Sequence, residues 1–360
     1  MNRLGELWVL TTFGESHGAG IGCVLDGVPA GLRVDEEFLN LELSRRRPGQ
    51  SLYSTPRKES DRVEILSGVM EGFTTGTPLA MFIPNENQKS SDYESIRSIF
   101  RPGHADFTYH YKYGLRDHRG GGRSSARETA ARVAGGAVAK MFLKELGISI
   151  FSGVFQVGEH TSDVRDFAHA RKSVVNALDP LMEELFKEEI EKARGAHDSI
   201  GGAIEVRAKG MPIGLGEPLY HKLDGALGGA LMGLNAVKAV EIGEGLSAAR
   251  LKGSENNDPL RLEGFKSNHA GGILGGISNG SELVARVYFK PTPSIFLPQE
   301  TLNEEGDEVI CALKGRHDPC VAIRGGVVCE ALVALVLADM ALLRLGNRLQ
   351  DVKEFYGKGR

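Results

Sequence analysis

The sequence is short of cysteine, of long apolar runs and of excess charge. Its four cysteines form no C-x-x-C pair and are too few for a disulfide scaffold, so they predict a reducing, cytoplasmic environment. No stretch runs uninterrupted for the roughly 20 apolar residues of a membrane helix, and the N-terminal residues lack the apolar core of a signal peptide. A formal net charge of −4 leaves no overall electrostatic reason to bind nucleic acid or an acidic membrane.

The signatures of two enzyme classes are also missing, whereas glycine is abundant. Neither the P-loop pattern G-x-x-x-x-G-K-[ST] nor H-E-x-x-H occurs, so neither an ATPase nor a metalloenzyme is indicated. Glycine accounts for 47 of the 360 residues, about twice its usual share. With 41% hydrophobic and 25% charged residues, the composition is typical of one large globular unit or of two intimate ones. Since no clear linker divides the chain, we expect a single domain at 1–346 and a C-terminal tail at 347–360.

The order of the expected elements favours an α+β fold. Apolar and β-branched patterns predict strands at 7–13, 21–25, 63–69, 79–83 and 284–289. Helices are expected at 36–47, 180–194, 223–240 and 327–345, and after the capping pattern S-x-x-E at 125–128. The glycines and the Pro-Gly pair in residues 101–122 predict a loop. Because strands and helices do not alternate regularly, a doubly wound parallel sheet is disfavoured.

The segment Gly-Glu-Ser-His-Gly at 14–18 formally matches G-x-S-x-G, the nucleophile elbow of α/β-hydrolases. Only 13 residues precede it, and an expected strand follows it where that motif requires a helix. The context therefore argues against a serine hydrolase that uses Ser16, which is kept as the alternative function. A loop that places Ser16 and His17 in a cleft is favoured over a plain glycine turn.

Two loops predict chemistry in a cleft. Arg-Pro-Gly-His-Ala-Asp at 101–106 holds His104 in a rigid turn beside a carboxylate, which suits a proton donor, although surface-turn histidines are commoner. Gly-Gly-Gly-Arg-Ser-Ser at 120–125 joins close backbone approach to a helix start, which predicts an anion site. Cations oppose the dipole at a helix start, so a capped helix alone does not explain the nearby arginines Arg116, Arg119, Arg123, Arg127 and Arg132.

Two later segments are weaker signals by themselves. The glycine-rich stretch at 268–280 lacks the strand–turn–helix context of a dinucleotide fingerprint, yet it could let a flat cofactor lie against bare backbone. Gly-Arg-His-Asp-Pro at 315–319 places a guanidinium, an imidazole and a carboxylate together. Taken alone, that segment favours a surface ion pair.

Eight segments, taken in order, resemble the chorismate synthase family: GESHG at 14–18, RRRPGQ at 45–50, RPGHAD at 101–106, GGGRSSARET at 120–129, NAVKAVEIG at 235–243, AGGILGGISNG at 270–280, KPTPSI at 290–295 and GRHDP at 315–319. The resemblance covers nearly the whole chain. It implies a helical layer between antiparallel sheets and a homotetramer. It also implies a carbon–oxygen lyase that converts 5-enolpyruvylshikimate 3-phosphate into chorismate by 1,4-anti elimination, using reduced FMN without net oxidation.

The resemblance also implies roles for individual residues. His17 would protonate the departing phosphate, His104 would protonate or stabilise the reduced flavin, and Asp318 would accept a proton from flavin N5. Ser16 and Ser125 would assist proton transfer. The anionic groups of the substrate would bind Arg46, Arg127 and Arg316, since guanidinium suits carboxylate and phosphate. The FMN site would comprise Arg123, Ser124, Ser125, Asn235, Ala236, Gly276, Lys290, Pro291, Thr292, Pro293, Ser294 and Arg316.

The chain departs from the family pattern at a few positions. Leu52 stands where relatives often carry an arginine, with Arg57 as a candidate substitute, and His269 stands where an asparagine is frequent. Some relatives reduce their own flavin with NADPH, and no motif decides whether this chain does. The absence of long insertions favours the type that depends on a separate reductase.

Overall fold

The computed structural model describes residues 2–47, 49, 53, 61–86, 96–313 and 318–357. Its strands are β1 (Arg3–Leu4), β2 (Val9–Gly14), β3 (Gly20–Asp26), β4 (Glu64–Ser67), β5 (Val69–Met70), β6 (Phe73–Thr74), β7 (Leu79–Pro84), β8 (Ser149–Val157), β9 (His160–Thr161), β10 (Gly202–Lys209), β11 (Val237–Ile242), β12 (Leu260–Arg261), β13 (Gly264–Phe265), β14 (Ile273–Leu274), β15 (Ile277–Ser278), β16 (Leu283–Phe289), β17 (Gln299–Leu302) and β18 (Glu308–Cys311).

The other regular elements of the described chain are helices. The α-helices are α1 (Glu36–Arg46), α2 (Asp106–Tyr113), α3 (Thr129–Glu145), α4 (Phe167–Ala170), α5 (Glu183–Gly195), α6 (Leu223–Met232), α7 (Gly253–Asn256), α8 (Ala322–Leu343) and α9 (Leu349–Gly357). Single 3₁₀ turns lie at Gly122–Ser124, Ala126–Glu128, Gly245–Arg250 and Arg344–Gly346. The expected tail therefore contains a helix, α9.

Two five-stranded sheets enclose the main helices. The first has the strand order β1-β2-β3-β7-β4, and the second has the order β11-β16-β10-β8-β9. The paired strands within both sheets run antiparallel. Helix α3 packs on β3 and β7 of the first sheet, and α8 packs on β8 and β10 of the second. The predicted α+β sandwich, with helices between antiparallel sheets, is confirmed.

The two central helices approach each other at a glycine. A Cβ atom on Gly136 of α3 would lie 2.3 Å from Cβ of Ala331 on α8, so only glycine permits this contact. Residues 322–346 are apolar and long enough to cross a membrane by length and composition alone, with a mean hydropathy of 2.2. However, 83% of the apolar 18-residue stretch that meets this criterion is buried inside the fold. The helix is thus placed as a core helix, as expected from residues 327–345.

Three local expectations were wrong. The predicted helix at 223–240 ends at Met232, and Val237–Ile242 forms edge strand β11, because the β-branched residues there complete the second sheet. The expected loop at 101–122 contains α2, whose alternating aromatic residues hide a helical pattern. The expected capping box is incomplete: Ser125 accepts a bond from the N–H of Arg127, but Glu128 accepts one from Thr12 of β2.

A cluster of buried charges joins α1, α3, α8 and β8. Glu330 of α8 is fully buried and accepts two hydrogen bonds from Arg45, at 2.8 and 2.7 Å, one from Lys140 at 2.5 Å and one from Ser152 at 2.6 Å. Glu42 binds the same two cations. Burial opposes ionisation, but Lys140 and Arg45 outweigh it and hold the pKa of Glu330 far below its usual value. The cluster is charged and locks four elements together.

The four cysteines are all free and buried. Burial raises the pKa of both Cys23 and Cys320 to about 12. Because the thiolate is the reactive form of cysteine, these two thiols are unreactive at neutral pH.

We predict that Glu330→Gln lowers the free energy of unfolding by about 3 to 5 kcal/mol, the usual cost of removing one partner of a buried ion pair. The amide leaves Arg45 and Lys140 without their full counter-charge. Urea denaturation measures the effect. The control is Glu184→Gln, which removes an exposed pair with Lys187 and should change stability by less than about 1 kcal/mol. Equal effects of the two variants would contradict the prediction.

Candidate active site

A cavity of about 390 Å³ opens where several chain segments enter or leave the helical layer. The end of α1, the turn before α2, the glycine loop before α3, the turn before β11, the segment after β16 and the start of α8 all contribute. From the residues expected in the site, it gathers Arg46, His104, Ser124, Ser125, Arg127, Asn235, Ala236, Lys290, Thr292, Pro293, Ser294 and Asp318. Segments far apart in sequence therefore meet in one place.

Two buried arginines of the cavity wall share one carboxylate. Arg46 and Arg127 each form an ion pair with Asp61, one with each of its carboxylate oxygens. Burial opposes ionisation of Asp61, but the two guanidinium groups outweigh it and hold its pKa below the usual value. The sequence contains no pattern that marks Asp61, because its partners come from α1 and from the turn before α3.

A second acid–arginine pair lies at the start of α8. Asp318 pairs with Arg324, whose Nη1 also donates to the backbone oxygen of Arg46 at 3.3 Å. Nε of Arg324 and Nε of Arg46 are buried and have no hydrogen-bond partner within the described chain. Both arginines line the cavity. Arg316, expected to bind substrate and cofactor, lies outside the described residues, as do Leu52 and Arg57.

The turn at 101–106, which contains His104, contributes a third cluster of charged side chains to the cavity wall. Arg101 donates from Nε and Nη2 to Asp106, both at 2.7 Å, and Nδ1 of His104 lies 3.1 Å from Nη2 of Arg101 and 3.3 Å from Asp106. Burial lowers the pKa of His104 despite the opposing effect of Asp106. The hydrogen bonds from Arg101 and His104 outweigh burial and hold the pKa of Asp106 far below its usual range. Burial therefore favours the neutral form of the His104 ring.

The segment after β16 offers a cation and polar groups. Nζ of Lys290 donates to the backbone oxygen of Gly103 at 2.7 Å, which joins this segment to the histidine turn. Burial, with a smaller contribution from Lys238, lowers the pKa of Lys290. Oγ1 of Thr292 is buried and has no partner among the residues described. Across the cavity, Nδ2 of Asn235 holds the backbone of Ser124 at 2.6 Å.

Several expected site residues lie elsewhere. Oγ of Ser16 is 3.0 Å from Nδ1 of His17. The His17 ring packs against Gly120, where a Cβ atom would lie 2.1 Å from Nδ1 of His17. Arg123 donates to Oγ1 of Thr12 at 2.6 Å and lines a separate cavity of about 210 Å³. Gly276 packs against the backbone of residue 217, and neither it nor Pro291 is among the lining residues.

The arginines around the glycine loop, which a capped helix alone does not explain, are paired with carboxylates inside the protein. Each of the five has a carboxylate partner within the protein. These pairs are Arg116 with Asp106 and Glu304, Arg119 with Asp117, Arg123 and Arg132 with Glu128, and Arg127 with Asp61. The internal carboxylates compensate the cations before any ligand binds. An anion could therefore bind only to the guanidinium N–H groups that these ion pairs do not use.

Ser16 is a poor nucleophile candidate. Its exposed fraction is 1%, and the segment that follows its loop is strand β3, not a helix. Both facts disagree with a nucleophile elbow, which holds an exposed serine at a strand-to-helix turn. The serine hydrolase alternative thus has no structural support in this loop.

The comparisons with known proteins decide the family. The family model for chorismate synthase matches residues 8–342. The chain belongs to the chorismate synthase family. It is therefore an enzyme, a carbon–oxygen lyase. Curated chorismate synthases from Sulfurovum sp. and Sulfurimonas denitrificans are 61% and 62% identical to it, each alignment covering 99% of this chain and 100% of the relative.

Further relatives agree. The chorismate synthase of Helicobacter hepaticus is 60% identical, over 99% of each chain. A crystal structure of a chorismate synthase matches with a TM-score of 0.77 and 35% identity, and the match covers 98% of this chain and 97% of the other. The sequence did not point to the cavity-lining Arg101 and Arg324, nor to Asp61, which pairs with the lining residues Arg46 and Arg127. Arg101 was visible within the histidine segment, whereas Asp61 and Arg324 lie outside every quoted motif.

We predict that the ring of His104 has a pKa below 6.5 in the protein without ligand, and that a bound polyanion raises this pKa. Burial disfavours the imidazolium, and nearby negative charge favours it. Nuclear magnetic resonance of the ring across about pH 5 to 8 measures both values, and His104→Gln assigns the signal. A pKa at or above 6.5 without ligand, or no rise with 5-enolpyruvylshikimate 3-phosphate, would contradict the prediction.

Proposed function

We propose that the chain converts 5-enolpyruvylshikimate 3-phosphate into chorismate by 1,4-anti elimination of phosphate and the C6 proton. The observation that carries this proposal is the cavity wall, where Arg46, Arg101, Arg127, Lys290 and Arg324 converge on about 390 Å³. The substrate has one phosphate and two carboxylates, and such groups require several cationic donors. The overall charge of −4 is no obstacle, because the cations act locally.

The same cavity fits reduced FMN. Lys290 and Thr292 both line it, and the buried hydroxyl of Thr292 has no partner in the described part of the chain. Leu234, Phe289 and Val328 give an apolar wall for a flat ring. We propose that Ser124, Ser125, Asn235 and the segment 290–294 hold this cofactor. When bound, reduced FMN supplies transient electron donation to the substrate without net oxidation.

The chain's own residues would bind anions and move protons. Arg46 and Arg127 would hold an anionic group of the substrate, with Arg316 added by the family resemblance. His104 lines the cavity as a neutral ring and would donate a proton once anions raise its pKa. Asp318, paired with Arg324, would accept one. The family resemblance makes His17 the acid for the departing phosphate; His17 does not line the cavity, but its ring contacts Gly120, the neighbour of cavity-lining Gly121.

The proposal extends to assembly, location and reductant. The family resemblance supports a homotetramer in the cytoplasm, with no nucleic-acid or membrane partner. Fully exposed apolar side chains such as Tyr220 and Leu262 fit burial in an assembly. We propose that a separate reductase supplies reduced FMN, and that NADPH is used only if the chain reduces its own flavin. Anaerobic NADPH oxidation by the purified protein with FMN tests this point.

The central experiment is anaerobic incubation of the protein with pre-reduced FMN and 5-enolpyruvylshikimate 3-phosphate, with chorismate followed by its absorbance. We expect product with reduced FMN and none with oxidised FMN. Folded protein that forms no chorismate under these conditions would refute the proposed function. A serine-directed phosphonate serves as a parallel test, because labelling of Ser16 and loss of a flavin-independent activity would favour the hydrolase alternative.

We predict that Asp318→Asn greatly lowers turnover while substrate and FMN affinities stay nearly unchanged, because the amide keeps the size of the carboxylate but loses its basicity. Binding and single-turnover rate are measured in one anaerobic preparation. Asp307→Asn, on the exposed turn between β17 and β18, is the control. Weaker binding with a wild-type single-turnover rate would show that Asp318 serves to position Arg324 instead.

We predict that His17→Ala and His104→Ala each lower turnover roughly 10²- to 10⁴-fold, the usual contribution of a positioned general acid, while the fold is kept. Steady-state kinetics between about pH 6 and 8 and circular dichroism measure both. His160→Ala, on short strand β9 beside Glu189, is the control. Full turnover by the His17 variant would assign this residue to packing against the glycine loop.

A further inference from the structure

The carboxylate of Asp61 is the only acidic group described between two buried arginines of the cavity wall. The side chains of Arg46 and Arg127 are each 3% exposed, and that of Asp61 is fully buried. Arg46 ends α1, Arg127 lies in the turn before α3, and Asp61 precedes β4. Three separate parts of the chain therefore meet at one carboxylate, directly beside the cavity.

Without Asp61, the surroundings of Arg46 are hostile to its charge. Burial, together with the nearby cations Arg324 and Arg127, lowers the pKa of Arg46 to about 10, even though Asp61 opposes the decrease. Like charges in a buried site repel strongly. The two guanidinium groups can thus stay side by side because the carboxylate between them compensates their repulsion.

Apart from Asp61, Arg127 has stronger hydrogen-bond partners than Arg46. Arg127 is fixed at its other nitrogens, since Nε donates to Asn85 and Nη2 donates to the backbone oxygen of Pro84, both at 3.0 Å. Among the residues described, the other contacts of Arg46 are a long hydrogen bond from Nη1 to the backbone of Ala126, at 3.3 Å, and a marginal one to Thr129, at 3.5 Å. Its Nε is buried without a partner in the described part of the chain. Asp61 is therefore the strong contact that orients Arg46.

We propose that Asp61 is a positioning residue, which locks Arg46 and Arg127 into one donor pair for an oxyanion of the substrate. This inference rests on the proposed function. The N–H groups that Asp61 does not use are held in place before the substrate arrives, so binding loses less side-chain freedom. The ligand group is a phosphate or a carboxylate, because a paired guanidinium surface recognises both.

Two other roles of Asp61 would change substrate affinity differently. If Asp61 occupied the place of the substrate's anionic group, its removal would free two cations and strengthen substrate binding. If it only supported the fold, its removal would lower stability and leave the Michaelis constant unchanged. The sign of the change in affinity therefore separates positioning from competition and from support.

The test is Asp61→Asn, with kcat, KM for 5-enolpyruvylshikimate 3-phosphate and FMN affinity measured anaerobically. We expect KM to rise roughly tenfold or more, the effect of one lost charge-assisted hydrogen bond, with FMN affinity within about twofold of wild type. An unchanged or lowered KM would overturn the inference. Wild-type protein that makes no chorismate would instead overturn the proposed function, and the inference with it.

The matched control is Glu205→Gln. Glu205 is also fully buried and also holds several arginines, Arg165, Arg207 and Arg286, but it lines neither cavity. We expect this variant to lose stability without a change in KM. A rise in KM equal to that of Asp61→Asn would show a general effect of destabilisation and would overturn the inference.

A second measurement does not require Asp61→Asn to fold. Arg46→Lys and Arg127→Lys keep the charge but lose the planar donor fork. Because Asp61 couples the two positions, we expect the effects of the single variants on KM to be non-additive in the double variant. Additive effects would mean that the two arginines act independently, which would overturn the inference.

Discussion

Burial of the Glu330 carboxylate is the constraint on which the rest of the structure depends. An unpaired charge in this position would be very costly, so Arg45, Lys140 and Ser152 must all reach it. These residues come from α1, α3 and β8, and Glu330 itself lies on the core helix α8. Satisfying one charge therefore fixes the relative positions of three helices and the second sheet.

The position of the candidate active site follows from that constraint. Arg45 and Arg46 are consecutive residues at the end of α1, and their side chains take different partners. Arg45 anchors the helix end in the core, which leaves Arg46 to line the cavity beside Arg127. The wall then holds several cations at close range. Asp61, Asp106 and Asp318 each pair with arginines there, so the protein can fold with its donors already in place.

Patterning within the sequence accounts for most elements and part of the site. The strands around the Ser16 loop, helix α1 and the buried helix α8 were predictable from local periodicity, because one face or the whole element is apolar. The turn of His104, the serines before α3 and the segment from Lys290 were recognised from short motifs, and they do meet in one cavity. The end of α6 and helix α2 were not predictable, because sheet completion and aromatic packing override local preference.

By itself, the sequence determined the family, the sandwich of helices between sheets and the motif segments that form the cavity, because these depend on local pattern and on resemblance along nearly the whole chain. Only the tertiary structure decided which charges meet. Asp61 and Arg324 lie in no motif. Asp61 pairs with Arg127, 66 residues away, and Arg324 donates to the backbone of Arg46, 278 residues away, so nothing local marks these contacts. Arg123 and the Ser16–His17 pair lie in motifs, yet they are not among the residues that line the large cavity. Ion pairing in a buried site is a property of three-dimensional proximity, which spacing along the chain does not encode.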